Sequence, residues 1–496
     1  MKQPWKILLM WLLCISPAMA APNIILIVAD DLDQQLFSRM YADGYLPNIK
    51  THLGDAGTQF SNAFVTEALC CPSRATFFTG QYAHNHGVVD NYKPYGGVTF
   101  FNASTALTVW LKNAGYATGM IGKYMNGYGI DPLQPLSNPE NPRHIPVAWN
   151  FWRGLTSYQM YNYNVTQWDS TSGVTQLKTY STYQTTKLKE FTVNFINALE
   201  AFDAMPFFIH VAPYAPHQEI EISGTGCSNP YWAKIIRPDA SYLNSLPQYY
   251  TSLPQPPSYN EANVTDKPTF IRNAALLTAQ EVGCARLQYQ RRAEATRSID
   301  DLVGGIIAAL IAKNELANTV LIFTSDNGYF LGEHRLCCKI PGYEEGIRVP
   351  LVMRGPGVPV GSIAAPVLSN DLAPTLAAWA QASALVAMDG RSVVPLLANP
   401  STPWRKRFLV EFQSDGQPPV SQFFGVRTAS TDAVPSAYFA AWEDAESSIE
   451  FYDLATDPYQ TTSNPASPHV ATMQGYINAL KDCGQPLKPT CQQAED

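Results

Sequence analysis

Three uninterrupted apolar runs, each ending abruptly in polar side chains, restrict the architecture of this chain more than any other feature. The first is Asn23-Ile24-Ile25-Leu26-Ile27-Val28-Ala29, which stops at Asp30-Asp31-Leu32-Asp33. The second, 206–212, leads into Pro213-Tyr214-Ala215-Pro216-His217, and the third, 319–324, into Ser325-Asp326-Asn327-Gly328. A strand exposed on one face alternates apolar with polar residues, so runs without alternation predict strands covered on both faces. Helical patterns lie between them: 104–114, capped by Ser104 or Thr105; 187–203, with Phe191, Phe195, Ile196 and Phe202 on one stripe; and 289–313, with Ile299, Leu302, Val303 and Ile306. A shorter strand, 117–121, precedes Gly122-Lys123-Tyr124. The expectation is an α/β fold, whose ligands gather beyond the carboxyl ends of the central strands.

Asp30 and Asp31 stand at such an end. Adjacent carboxylates repel unless a cation lies between them, and a hard divalent ion with oxygen ligands is the economical explanation. A solvated turn is the alternative. Asp326-Asn327-Gly328 is by itself a common turn, but after a buried strand it completes an oxygen-rich cage with Asp30 and Asp31.

The chemistry is placed in Glu67-Ala68-Leu69-Cys70-Cys71-Pro72-Ser73-Arg74-Ala75-Thr76-Phe77-Phe78-Thr79-Gly80. Pro72 is tolerated in the first turn of a helix, where its missing N–H leaves no bond unmade. A helix start at Cys70 with Arg74 beside it attracts anions. In a secreted chain most cysteines are halves of disulfides, so spacing alone would not single out Cys70.

Cys70-x-Pro-Ser-Arg74, with the following Thr-Gly, resembles the signature of the type I sulfatases, whose first cysteine is oxidised after translation to formylglycine. Gly80-Gln81-Tyr82-Ala83-His84-Asn85-His86 is similar to the subgroup of glucosamine-6-sulfatases, heparan endosulfatases and some arylsulfatases. The resemblance implies an alkaline-phosphatase-like α/β sandwich: a large mixed, mostly parallel sheet flanked by helices, then a smaller C-terminal antiparallel sheet with a packed helix. It implies that Asp30, Asp31, Asp326 and Asn327 hold one Ca2+, which also takes an oxygen of modified residue 70. Arg74 would stabilise the hydrated aldehyde. Lys123, in a G-K-[WY] motif, and Lys339, in Gly332-Glu333-His334-Arg335-Leu336-Cys337-Cys338-Lys339, would hold the sulfate. His217, in A-P-H, would protonate the leaving oxygen, with His334 a second candidate and substrate contact. Arg348 reads as a structural partner of a nearby acid, and His210 as a satisfied core histidine. Met125 departs from the family, where a histidine commonly touches formylglycine; the glucosamine-6-sulfatases depart in the same way.

A thiolate could attack a sulfate ester but would keep the sulfate as a dead end, whereas one hydroxyl of a hydrated aldehyde attacks and the other, losing a proton, ejects it. The implied substrate is a sulfated small molecule or sugar, N-acetylglucosamine 6-sulfate or an aryl sulfate. The implied maturation partner is the formylglycine-generating enzyme. Two other readings share the fold: a phosphate or phosphonate ester hydrolase, and a sulfated-glycan-binding protein with a silent site.

Composition agrees with a large enzyme. With 496 residues, 46% hydrophobic and 15% charged, the chain can bury a substantial core, and 21–394 reads as a catalytic domain with 395–496 as a C-terminal subdomain. Strands are expected at 408–412, 438–442 and 449–452, and a final helix at 470–481. Segments 130–185 and 218–270, rich in Pro, Asn and aromatic residues, read as loop and short strand around the mouth of the site. The net charge of −8 comes without a basic run, which excludes a nucleic-acid-binding face. Residues 1–20 carry Lys2 and Lys6, an apolar stretch and Ala18-Met19-Ala20, the pattern of a cleaved secretory signal. No later stretch reaches the roughly 20 apolar residues needed to span a bilayer. The product should be secreted or exported, periplasmic or extracellular, or lysosomal in a eukaryote. There Asn102, Asn164 and Asn263 would accept glycans. Of nine cysteines, Cys14 leaves with the signal. Cys483 with Cys491, and Cys227 with Cys284, could each close a loop, leaving Cys71, Cys337 and Cys338 unassigned.

Overall fold

A ten-stranded mixed sheet forms the spine of the computed structural model, which describes residues 21–199, 205–219, 223–413 and 420–496. The expected signal at 1–20, and Phe202 and Asp203, lie outside the described residues. Across the sheet the strands run Gly361–Ile363, Thr58–Phe60, Leu351–Arg354, Thr319–Ser325, Asn23–Ala29, Phe207–Ala212, Ala117–Gly122, Phe151–Leu155, Tyr163–Asp169 and Gln176–Tyr180. The five from Thr319–Ser325 to Phe151–Leu155 are parallel neighbours, and antiparallel pairs flank them on both sides.

Asn23–Ala29 is buried throughout because the sheet is covered twice. Ile24, Leu26 and Val28 face one core with Cys71, Ala75 and Phe78 of the helix Cys70–Thr79; Ile25, Ile27 and Ala29 face the other with Ile299, Leu302 and Ile306 of the helix Ala279–Ala312. Alternate side chains of one strand thus feed separate cores, and no polar face remains to give an alternating pattern.

Several expectations need correcting. The helix around Trp110 runs Leu107–Asn113 behind Ala106, without a side-chain cap; Asn102 caps the short turn Ala103–Thr105 instead. The long helix starts ten residues before 289, at Ala279, where Thr278 and Glu281 form a reciprocal capping box. Segment 151–180 supplies three strands to the sheet, and Trp149 and Trp152 are core residues against Phe78, Phe208, Tyr124 and Tyr128. His210 is buried in its strand, but neither ring nitrogen has a hydrogen-bond partner, so it is packed against Phe78 rather than satisfied.

Two glycines are required by geometry. Gly80 ends the helix Cys70–Thr79 in the left-handed region at φ 71°. Gly122 has φ 112°, and a Cβ there would lie 2.1 Å from the carbonyl oxygen of Ala212; its absence lets Lys123 N donate to that oxygen at 2.8 Å.

A second, four-stranded antiparallel sheet, Arg407–Phe412, Phe423–Thr428, Ala437–Trp442 and Ile449–Asp453, carries the helix Val470–Leu480. Disulfides join Cys227 to Cys284, Cys483 to Cys491, and the adjacent Cys337 to Cys338; Cys70 and Cys71 are free thiols. No helix among the described residues is long and apolar enough to cross a membrane.

The two sheets are tied together by buried charge. The fully buried Arg405 pairs with Asp371 and, at 2.9 Å, with Glu495 near the C-terminus. Glu495 also accepts from the hydroxyl of Tyr82 at 2.7 Å, just past the helix Cys70–Thr79. Removing one partner of a buried ion network strands the others without water. Arg405→Ala should therefore lose about 3–5 kcal/mol of stability, read as the shift in a denaturant-unfolding midpoint; a change within about 0.5 kcal/mol, the usual range of surface substitutions, would contradict it.

Candidate active site

Four parallel strands end at one place. The register Ala29↔Ser325 sets Asp30 beside Asp326, and Asp326 N donates to Ala29 O at 3.1 Å. Asp31 N donates to Asp326 Oδ1 at 3.0 Å and Leu32 N to Ser325 Oγ at 2.8 Å. The chain leaves the strand with Asp31 at φ 64°, a region that a residue with a Cβ occupies only where its surroundings hold it. Arg292, from the helix Ala279–Ala312, supplies part of that hold: one guanidinium nitrogen donates to Asp31 O at 2.6 Å and Asp33 Oδ2 at 2.8 Å. Its carbon lies 4.0 Å from the ring centre of Tyr329.

The helix Cys70–Thr79 points its first residue into this cluster. Cys71 N, one of the donors a helix start leaves unpaired, is taken by Asn91 Oδ1 at 2.8 Å. Cys70 Sγ lies 3.6 Å from Asp30 Oδ1 and 2.7 Å from Lys339 Nζ. One turn on, Arg74 donates to Asp326 Oδ2 and to Lys123 O, both at 2.9 Å. Lys123 Nζ is 2.7 Å from Asp30 Oδ2, and Lys339 Nζ pairs with Asp31 Oδ1. His217 Nε2 is 3.3 Å from Asp31 Oδ2, while Nδ1 is bonded to Gln218 O. Ligand atoms of Asp30, Asp31, Cys70 and His217 all lie within 4.8 Å of one another.

Burial, and next the charge of Asp326, pushes the Asp30 carboxyl up. Burial pushes Asp31 up too, but His217 and Lys339 outweigh it and hold that carboxyl well below its ordinary range. Burial would discharge both lysines; Asp30 and Asp31 respectively keep Lys123 and Lys339 protonated. The Cys70 thiol is pushed up to about 12 by burial despite Lys123 and Lys339, so an unmodified cysteine would be a protonated, weak nucleophile here. His217 is pushed down to about 4 by burial, against the pull of Asp31 and Asp30.

Asn327 bears on metal binding. Its amide nitrogen donates to Asp31 Oδ1 at 2.7 Å and Gly328 O at 2.8 Å, which turns Oδ1 inward, buried and without a partner. Three buried carboxylates and an orphaned amide oxygen form a donor set that suits a hard divalent cation such as Ca2+.

The other expected residues fall in different places. His334 is fully buried, bonded through Nδ1 to Glu261 at 2.9 Å and stacked 4.2 Å from Tyr343; its contacts are with these residues, not with the carboxylate cluster. Arg348 reaches Ser61 O at 2.6 Å and lies 3.8 Å from Glu344, a structural pairing. Met125 places its sulfur 3.8 Å from Cys71 Sγ. Sequence patterns did not single out Arg292, nor Tyr158 and Tyr214, whose ring centres stand 5.6 and 5.5 Å from the Lys123 ammonium. Such faces attract a cation at that range.

A family model described as Sulfatase matches residues 22–382, and one described as N-sulphoglucosamine sulphohydrolase, C-terminal, matches 332–481. The chain is 31% identical over 513 residues to the N-acetylglucosamine-6-sulfatase of Homo sapiens, covering 95% of this chain and 86% of that one. It is 31% identical over 391 residues to the arylsulfatase of Volvox carteri, covering 74% and 57% respectively. A solved sulfatase-fold structure, described as a complex with D-glucosamine-2-N,6-O-disulfate, superposes with a TM-score of 0.71 at 22% identity, covering 93% of this chain and 97% of the other.

Arg292 acts on the site through Asp31, Asp33 and the ring of Tyr329. Replacing it with alanine should lower kcat/KM by about tenfold to a hundredfold, the scale on which small misplacements of reacting groups act. Steady-state kinetics beside a thermal melt would measure this; wild-type kinetics in a folded Arg292→Ala protein would contradict it.

Proposed function

Because the chain belongs to the type I sulfatase family and is a sulfuric ester hydrolase, we propose that it cleaves N-acetylglucosamine 6-sulfate or a simple aryl sulfate, with residue 70 as formylglycine beside one Ca2+. The observation that most supports this reading is the placement of Cys70 Sγ between Asp30 and the ammonium of Lys339. The glucosamine substrate is favoured by the relative matched over 95% of this chain, an N-acetylglucosamine-6-sulfatase.

Asp30, Asp31, Asp326 and Asn327 would hold the calcium, which would supply Lewis-acidic positive charge at the site. Oxidised and hydrated, residue 70 would offer one hydroxyl to sulfur, displacing the ester's alcohol, and a second whose deprotonation would expel sulfate and restore the aldehyde. The chain's own groups do the remaining work. Arg74, pinned between Asp326 and Lys123 O, sits one helical turn beyond residue 70 and stabilises its hydrate. Lys123 and Lys339 bind the sulfuryl oxygens and balance the charge that grows on them. His217 has Nδ1 committed to Gln218 O, so Nε2, 3.3 Å from Asp31 Oδ2, is the nitrogen that would carry a proton to the leaving oxygen. Maturation requires the formylglycine-generating enzyme. The leader expected at 1–20 and the three disulfides favour an exported or lysosomal protein.

Peptide mass spectrometry should find residue 70 as the aldehyde or its hydrate. Cys70→Ala and Lys339→Ala should each lose about 10³-fold or more in kcat, the effect of deleting a group that acts in the transition state, while both proteins remain folded. Chelation should abolish turnover and Ca2+ restore it. A panel of N-acetylglucosamine 6-sulfate, other sulfated sugars, an aryl sulfate and the matching aryl phosphate reads substrate class. Near wild-type turnover by Cys70→Ala, or preference for phosphate by orders of magnitude, would sink the proposal.

A further inference from the structure

Lys339 is fixed by an unusual stretch of backbone. It is flanked by two non-glycine residues at positive φ, Cys338 at 82° and Ile340 at 103°; such conformations persist only where neighbours over-determine them. On the far side the neighbour is Ala68, which forms an isolated backbone bridge with Ile340 two residues before Cys70. On the near side it is the disulfide between Cys337 and Cys338. A bond between the side chains of adjacent residues closes a small ring through their shared peptide and removes most of that peptide's torsional freedom.

The disulfide touches three parts of the site. Cys337 and Cys338 form one arm of a hairpin whose other arm, Phe330–Leu331, follows the metal donors Asp326 and Asn327 after a short turn. Cys338 Sγ accepts from Tyr329 Oη at 3.5 Å, and Tyr329 carries the guanidinium of Arg292 on its ring. Cys338 Sγ also accepts from Gln218 Nε2 at 3.8 Å, and the Gln218 carbonyl fixes the His217 ring. Cys337 Sγ lies 3.6 Å from Tyr231 O, beneath a half-exposed tyrosine. Both cysteines are half-buried, within reach of a soluble reductant.

We propose that the Cys337–Cys338 disulfide is a positioning device for Lys339, and that its reduction to two thiols lowers sulfatase activity while the fold stays intact. This rests on the assignment of Lys339 to the sulfate. The step is a two-electron reduction: a water-soluble phosphine breaks the S–S bond, two thiols form with protons from water, and the phosphine leaves as its oxide carrying the water oxygen. The freed peptide can then leave the positive-φ conformation at Cys338, and the Lys339 ammonium loses its fixed place beside residue 70.

The test uses the mature protein and an aryl sulfate with four variants: Cys337→Ala/Cys338→Ala, Cys337→Ser/Cys338→Ser, Lys339→Ala, and Lys339→Ala combined with the alanine pair. Alkylation and peptide mapping should find Cys337 and Cys338 joined in the untreated protein. The cysteine-pair variants should keep the wild-type melting temperature to within a few degrees and lose about tenfold to a hundredfold in kcat/KM. Phosphine should bring the wild type to the same level and leave the pair variants unchanged. On the Lys339→Ala background, removing the pair should cause a much smaller loss, because most of the disulfide's effect runs through Lys339 and only its contacts with Gln218 and Tyr329 remain to be lost. Free thiols at both positions in the untreated protein would overturn the proposal, as would equal inactivation of the pair variants by phosphine, or a pair loss that multiplies undiminished on Lys339→Ala. A fully active pair variant beside an inactive Lys339→Ala would reject this inference alone. A fully active Lys339→Ala would reject the lysine's assignment and this inference with it.

Discussion

Everything around this site answers the repulsion among three carboxylates, Asp30, Asp31 and Asp326, buried together at neighbouring strand ends. Asp30 is pushed up by desolvation and by the nearby Asp326, so the cluster would take up protons without cations to oppose it. Lys123, Lys339 and Arg74 face the acids from three different elements; Arg74 and Lys123 are buried with them, and Lys339 is half-buried. A buried ion cluster is poor evidence of stability, because desolvation of each charge is only just offset by its partners. What such a cluster provides is a set of fixed dipoles and charges that need not reorganise when an anion arrives.

The doubly covered sheet makes the cluster geometrically possible. Parallel strands point their carboxyl ends the same way, so Asn23–Ala29, Phe207–Ala212, Ala117–Gly122 and Thr319–Ser325 deliver Asp30 and Asp31, His217, Lys123, and Asp326 and Asn327 to one edge. The helix Cys70–Thr79 lies against one face of the sheet and the helix Ala279–Ala312 against the other. From these opposite sides come Cys70, the position proposed to react, and the brace of Asp31, Arg292. Neither could reach the strand ends if one face of the sheet were left to solvent.

Much of this was legible in the sequence because it is written locally. A strand buried on both faces cannot hide its lack of alternation, and a strand-end Asp-Asp or Asp-Asn-Gly follows at once. The failures are equally physical. Arg292 sits within a long amphipathic helix with no motif around it; only the helix's tertiary position brings it 2.6 Å from Asp31 O. Phe423–Thr428 was missed because Gly425 interrupts its apolar pattern, and that glycine exists for a neighbour distant in sequence: a Cβ there would meet the Tyr438 hydroxyl at 2.8 Å. The strands of 151–180 were obscured by mixed polarity, as suits antiparallel additions near the edge of a sheet: the burial of Gln176–Tyr180 is mostly exposed. His334 carries a motif's spacing but is bonded to Glu261, an acid 73 residues earlier that spacing cannot reveal. The separate turn Ala103–Thr105, capped by Asn102, and the early start at Ala279, capped by Thr278, are end effects.

The burial that orders the site also explains why a bare thiol would serve it poorly. Desolvation pushes the Cys70 thiol up to about 12 even with two lysines nearby, because those ammonium groups are already committed to Asp30 and Asp31. Lowering the thiol enough to ionise would require freeing a lysine, and a freed lysine would leave a buried carboxylate uncompensated. A nucleophile that gains its reactivity from oxidation at carbon rather than from ionisation of sulfur avoids that conflict. On the proposed chemistry the same cations would stay paired with Asp30 and Asp31 until a sulfate replaced part of what the acids provide.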